Sequence, residues 1–178
     1  MRILGKKIIS SSKYLNFVAT TFVNKNNIES VWYSVERNNG GKTVIVAATV
    51  DDKLVVLKEF RVAIGDYEWA LPAGLVEEGD TIEKTAKKEL KEETNLELLE
   101  IVEKTPFMTN SAGLTNEVVS IVFARAEGQI GQDGNEESEE IETFLMNKLE
   151  VENLMNDQKK IFSAKAWLIF DKFVRGGW

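Results

Sequence analysis

Residues 72–96 read PAGLVEEGDTIEKTAKKELKEETNL, and the fold is decided by how this stretch is folded up. Asp80–Thr94 is predicted to be a helix, with Asp80 and Glu83 at capping-box spacing. Asn95 stands where a left-handed C-cap would close it. On a helical wheel Ile82, Ala86 and Leu90 form an apolar stripe, while Lys84, Lys87 and Lys91 share the opposite face. Glu89 and Glu93 fall on or beside the apolar stripe, away from the lysines. A carboxylate on a core-facing edge costs several kcal/mol unless it is paired or holds a metal. The bland alternative is a solvated acidic helix with i,i+4 ion pairs.

Outward from the helix, the chain alternates strand and turn signals. Tyr14–Val23 and Ser30–Arg37 are β-branched and aromatic, joined by Asn24-Lys25-Asn26-Asn27. After Asn38-Asn39-Gly40-Gly41, Thr43–Val50 and Leu54–Phe60 flank Asp51-Asp52-Lys53 as a hairpin. A short strand at Glu68–Leu71 stops at Pro72. Strands resume at Leu96–Thr105, Glu117–Arg125 and Ile141–Met146, and helices at Leu149–Asn156 and Lys159–Arg175 finish the chain. This order predicts a mixed α+β sandwich.

The 178 residues suit one domain. Cysteine and histidine are both absent. That excludes disulfides, thiolate metal sites, thiol nucleophiles and imidazole bases. Any metal must sit on oxygen ligands, which selects magnesium, manganese or calcium. The net charge of −7 argues against unassisted nucleic-acid binding. A phosphate can still bind where a divalent ion masks the repulsion. No apolar run approaches the ~20 residues of a membrane span, and the N-terminus lacks a secretory pattern, so a cytoplasmic location is expected.

The segment from Gly74 to Leu96 resembles the Nudix box, G-x5-E-x7-R-E-U-x-E-E-x-G-U, where U is bulky and apolar. Asp80 stands at the first Glu, Lys88 at the Arg, Glu89 at the next Glu and Leu90 at U. Glu92 and Glu93 form the E-E pair, and Asn95 replaces the last Gly. Lys88 keeps the charge and loses the bidentate fork. The resemblance implies a Nudix α/β/α sandwich with a mixed central sheet and an added N-terminal antiparallel sheet. Residues 1–42 would supply strands used in homodimerisation, and residues 43–178 the core. It also implies Mg²⁺ or Mn²⁺ held by Glu89, Glu92, Glu93 and the Ala73 carbonyl. Gly74 would let the backbone approach the ion or phosphate closely.

Leu57–Gly74, LKEFRVAIGDYEWALPAG, is similar to the approach to the box in ADP-ribose pyrophosphatases, where an Arg at the position of Arg61 contacts substrate phosphate. Trp32-Tyr33-Ser34-Val35-Glu36-Arg37 resembles their adenine-binding W-E-x-V-x-R strand. The resemblance implies that Trp32 stacks on the base, with Arg37 beside it and Tyr14 completing a sandwich. The alternative is that Trp32 and Tyr14 are core or dimer-interface aromatics. Ser111–Glu117, SAGLTNE, resembles S-P-G-x-[ST]-[DN]-E, with Ala112 in place of the proline that marks ADP-ribose specificity. In the acidic loop before Ile141, Glu139, or else Glu137, resembles a glutamate that in family members contributes to water activation or metal binding.

The resemblance implies metal-dependent hydrolysis of ADP-ribose or a similar nucleoside diphosphate sugar to AMP and a sugar phosphate. The expected partners are that small substrate and a second copy of the chain, with no nucleic acid or membrane. The alternatives are a Nudix-fold ADP-ribose sensor without catalysis, and a hydrolase of another nucleoside diphosphate derivative or triphosphate.

Overall fold

A computed structural model of the chain describes residues 1–131 and 140–178. Strands β1 (Arg2–Ser11), β2 (Leu15–Val23) and β3 (Glu29–Arg37) form an antiparallel sheet in sequence order. Asn24 sets the β2–β3 turn, its side-chain oxygen accepting from the N–H groups of Asn26 and Ile28. Strand β1 was not expected from the sequence. Its apolar residues come in adjacent pairs, Ile3-Leu4 and Ile8-Ile9, which hide a period of two, and its pairing with β2 is broken by register shifts next to both pairs.

The chain then crosses to a second sheet at Gly40 and Gly41, both with positive φ. This sheet contains β4 (Lys42–Val50), β5 (Lys53–Arg61), β6 (Asp66–Ala70), β7 (Ala73–Leu75), β8 (Glu97–Lys104), β9 (Met108–Thr109), β10 (Val118–Glu127), β11 (Ile141–Met146) and β12 (Ile161–Phe162). It is mixed: β10 runs parallel to β4 and antiparallel to β8, and β12 is parallel to β6. The expected hairpin is present, with Val50 opposite Lys53 and Asp51 at φ 53°.

Helix α1 (Ile82–Thr94) covers one face of this sheet, and α2 (Lys148–Met155) and α3 (Ala164–Arg175) cover the other. The alternation of β4 shows why. Val44, Val46 and Ala48 pack with Ala86 and Leu90 of α1. Ile45 and Ala47 point the other way, into a cluster with Val151 of α2 and Ile169, Phe170 and Phe173 of α3. The expected α/β/α sandwich with an added antiparallel sheet is therefore observed.

Two helix starts need correction. The N-cap of α1 is Thr81, whose hydroxyl accepts from the Lys84 N–H at 3.2 Å. Asp80 instead pairs with the Lys84 ammonium, and Glu83 with Lys104, so the capping box at Asp80 does not form. The final helix begins at Ala164, because Ile161 and Phe162 are spent on β12, opposite Glu68 and Trp69. Asn95 closes α1 as expected, at φ 62°, with its N–H donating to the Lys91 carbonyl. Among the described residues, no helix is long and apolar enough to cross a membrane.

Candidate active site

Pro72 ends β6, and the next three residues form β7, antiparallel to β4 with Ala73 opposite Ile45. The Pro72 carbonyl accepts from the Val46 N–H at 2.7 Å, which fixes the entry to β7. Helix α1 packs against this short strand. The Ala73 N–H donates to the Glu93 carboxylate at 3.2 Å. Gly74 faces Glu89 so closely that a Cβ on Gly74 would lie 2.0 Å from the Glu89 carboxyl carbon. Glycine is thus what lets Glu89 stand where it does. Its φ is ordinary for a strand, and the group it admits is a carboxylate.

Glu93 is buried, Glu89 half-buried and Glu92 exposed, as the wheel predicts for positions across the edge of an apolar stripe. The Glu93 carbonyl accepts from the Thr143 hydroxyl at 3.0 Å, tying the helix to β11. Lys88 lies 3.2 Å from Glu77 and 4.0 Å from Glu92. Its ammonium pKa is raised, chiefly by the hydrogen bond to Glu77.

These groups line a cavity of about 680 Å³. Ala73, Gly74, Glu89, Glu92 and Glu93 are joined there by Arg37 from the end of β3 and Arg61 from the end of β5. Arg61 is held by two carboxylates: Nη1 lies 2.5 Å from Glu59 and Nε 3.3 Å from Glu68. Arg37 Nε lies 2.6 Å from Glu117. Glu68, Asn110, Glu117 and Lys165 also line the cavity and were not singled out from sequence. Glu117 ends the SAGLTNE string, which was the available signal. Lys165 carried none, being one of many surface-type lysines.

Tyr14 and Trp32 are elsewhere. Tyr14 is exposed beside the Lys13 ammonium and lines neither this cavity nor the next. Trp32 lines a separate, more apolar cavity of about 550 Å³, together with Phe22 and Ala112. Its indole N–H donates to the Gly113 carbonyl at 3.0 Å, and the side chain is 54% exposed. The chain therefore brings together Arg37, Arg61, Ala73, Gly74, Glu89, Glu92 and Glu93 in one cavity, but not Tyr14 or Trp32. Glu137 and Glu139 lie outside the described residues.

The donors around the cavity fit a hard divalent cation in kind: carboxylates with a backbone carbonyl, and neither imidazole nor thiolate. A carboxylate buried as deeply as Glu93, and a glycine that clears space for another, are what such an ion needs from its surroundings. Among the described residues, no three acidic side chains are already gathered about one point.

Residues 40–165 match the NUDIX domain family, and the chain belongs to it. Its enzyme class is that of the Nudix hydrolases, which generally need a divalent metal. Over 141 residues the chain is 32% identical to a Nudix hydrolase of Schizosaccharomyces pombe, covering 75% of this chain and 68% of that one. It is 28% identical over 135 residues to an ADP-sugar pyrophosphatase of Mus musculus, covering 71% of this chain and 62% of that one. It is 26% identical over 126 residues to an ADP-ribose pyrophosphatase of Bacillus subtilis, covering 71% and 68%. A crystal structure of an ADP compounds hydrolase superposes with a TM-score of 0.74, at 18% identity, over 98% of this chain and 94% of that one. That likeness concerns the fold.

Proposed function

We propose that the protein is a divalent-metal-dependent diphosphatase of ADP-ribose or a similar nucleoside diphosphate sugar, releasing AMP and a sugar phosphate. One observation carries the reading. The carboxylates Glu89, Glu92 and Glu93 come from α1, cations come from β3, β5 and α3, and both sets face the same cavity. A diphosphate has the charge and size to lie between them. The relatives named for ADP-ribose and ADP-sugar hydrolysis support the same substrate class.

Glu89, Glu92, Glu93 and the Ala73 carbonyl would hold the metal, Mg²⁺ or Mn²⁺. When bound, the metal neutralises phosphate charge and lowers the pKa of an attacking water. Arg61, fixed between Glu59 and Glu68, binds a phosphate, and Arg37 binds on the β3 side. The Ala73 N–H keeps the Glu93 carboxylate turned toward β7. Water adds to one phosphorus and the bridging P–O bond breaks. The bridging oxygen leaves with one phosphate, and the proton lost by the water goes to a carboxylate. Glu139, or Glu137, outside the described residues, is assigned to receive that proton, because the box glutamates are occupied as ligands.

Trp32 stacks on adenine, with Tyr14 supplied by a second copy of the chain. The N-terminal sheet supports this arrangement, since β1 is exposed along its whole length and Phe17, Tyr33, Ile3 and Ile8 are all open to water. A homodimer through β1–β3 would cover them and bring a partner's residues to the cavity beside Trp32. The setting is cytoplasmic, with no nucleic-acid or membrane partner. Glu139→Gln and Glu137→Gln, assayed on ADP-ribose in parallel, test the proton acceptor: the first should lower kcat strongly with KM within a few fold, and the second should do less. Equal and near-normal turnover of both would remove these two glutamates from the mechanism.

A further inference from the structure

Arg37 is held from two directions. Its backbone N–H donates to Asn116 Oδ1 at 3.2 Å, and its Nε donates to Glu117 Oε2 at 2.6 Å. The other oxygen of that carboxylate accepts from Asn110 Nδ2. Asn110 Oδ1 in turn accepts from Lys165 Nζ at 2.5 Å. The backbone closes the same ring, with the Asn110 N–H donating to the Glu117 carbonyl at 3.0 Å. Arg37, Glu117, Asn110 and Lys165 thus form one hydrogen-bonded relay from β3 to the first turn of α3, and all four line the cavity.

This relay is not what fastens the loop at residues 111–117. The loop is already secured by the Val35 N–H to the Leu114 carbonyl at 2.8 Å, by Trp32 to the Gly113 carbonyl, and by the Val118 N–H to the Gly41 carbonyl. A carboxylate in the wall of an anion site would repel the ligand unless it were neutralised. Here Glu117 is paired with Arg37, and Lys165 stands beyond the neutral Asn110, so the relay of two cations and one carboxylate carries a net positive charge. A guanidinium gripped at Nε has its plane fixed and offers its other edge to an anion. The side chain of Glu117 is 15% exposed against 34% for Arg37, so the grip lies deeper than the group it aims.

We propose that Glu117 is a positioning residue for Arg37, and that Asn110 extends the alignment to Lys165, a further cation that binds the substrate diphosphate. This rests on the reading of the cavity as a nucleoside diphosphate sugar site. The relay acts on binding: it pre-orients two cations and takes no part in proton transfer.

The test combines steady-state hydrolysis of ADP-ribose with Mg²⁺, equilibrium dialysis of ADP-ribose with chelator, and thermal melting. Glu117→Gln keeps the shape and loses the charge. It should raise KM about tenfold and leave kcat within about twofold. Lys165→Met should raise KM several fold. Glu117→Gln added to Arg37→Met should cost little beyond Arg37→Met alone, because the glutamine keeps an oxygen to accept from Asn110 and the lost charge acts through Arg37. A Glu117→Gln protein with a lowered melting temperature but unchanged KM and Kd would reduce the relay to a structural tie and overturn the proposal. So would full additivity with Arg37→Met. If the unmodified protein binds ADP-ribose without cutting it, the hydrolase reading fails and the relay is judged on Kd alone. If it binds neither ADP-ribose nor ADP, both fail.

Discussion

Gly74 and the Glu89 carboxylate occupy space that only one of them can extend into: a Cβ on Gly74 would meet Glu89 Cδ at 2.0 Å and its two oxygens at 2.2 and 2.3 Å. The clash is with the far end of a flexible side chain. Gly74→Ala should therefore fold, losing about 1 kcal/mol or less while Glu89 swings aside. On the proposal that Glu89 helps hold the metal, its displacement should lower activity by about 100-fold. Thermal melting and kcat/KM measured on the same preparation check this. A Gly74→Ala enzyme with near-normal kcat/KM would show that Glu89 is not needed where it stands.

Glu93 is the most deeply set of the box carboxylates and is aimed by the Ala73 N–H. Glu93→Gln keeps the volume and a hydrogen-bond acceptor for that N–H, so the fold should persist. If Glu93 holds the metal as proposed, the loss of its charge should cut kcat by about 100-fold or more and weaken Mg²⁺ activation. Titrating activity with Mg²⁺ reads both effects. Unchanged turnover and metal dependence would move the metal site away from Glu93.

Trp32 presents its ring while its N–H is engaged by Gly113. Trp32→Ala should raise KM for ADP-ribose with little change in kcat, because stacking is shared by ground and transition states. Trp32→Phe should lie between, keeping a stacking face and losing the bond to the loop. If neither variant changes KM, the aromatic belongs to an interface alone, which an accompanying change in sedimentation would show.

On the outer face of α1, the Lys104 ammonium beside Glu83 holds that carboxyl down at about 2, well below its ordinary 4.5. A depressed carboxyl stabilises the fold above its unfolded pKa and loses that contribution as pH falls from 4.5 towards 2. The pair is well exposed, at 50% and 44%, so screening limits its worth to about 0.5 kcal/mol. Glu83→Gln should lower the melting temperature slightly at pH 7 and not at pH 2. The Glu83→Gln difference persisting at pH 2 would assign the loss to packing.

The box helix was legible because its signals are local. The period of Ile82, Ala86 and Leu90 and the left-handed cap at Asn95 belong to one segment, and both appear in the fold. The cap at Thr81 was missed by one residue, since Asp80, Thr81 and Glu83 all carry capping chemistry and only the backbone selects among them. Arg37 and Arg61 were readable only through resemblance; their placement in one cavity depends on two sheets meeting. Glu117, Asn110 and Lys165 lie 80, 73 and 128 positions from Arg37, and no periodicity links such distant polar residues. β1 escaped because a strand open on both faces has no buried side to impose alternation.

The central claim is tested most directly by offering the purified protein ADP-ribose and, separately, nucleoside triphosphates including an 8-oxo-purine triphosphate, with Mg²⁺ and with chelator, and identifying the products. The account predicts AMP and a sugar phosphate from ADP-ribose, a higher kcat/KM than for any triphosphate, and no products with chelator. Tight ADP-ribose binding without cleavage, or a triphosphate as the preferred substrate, would contradict it.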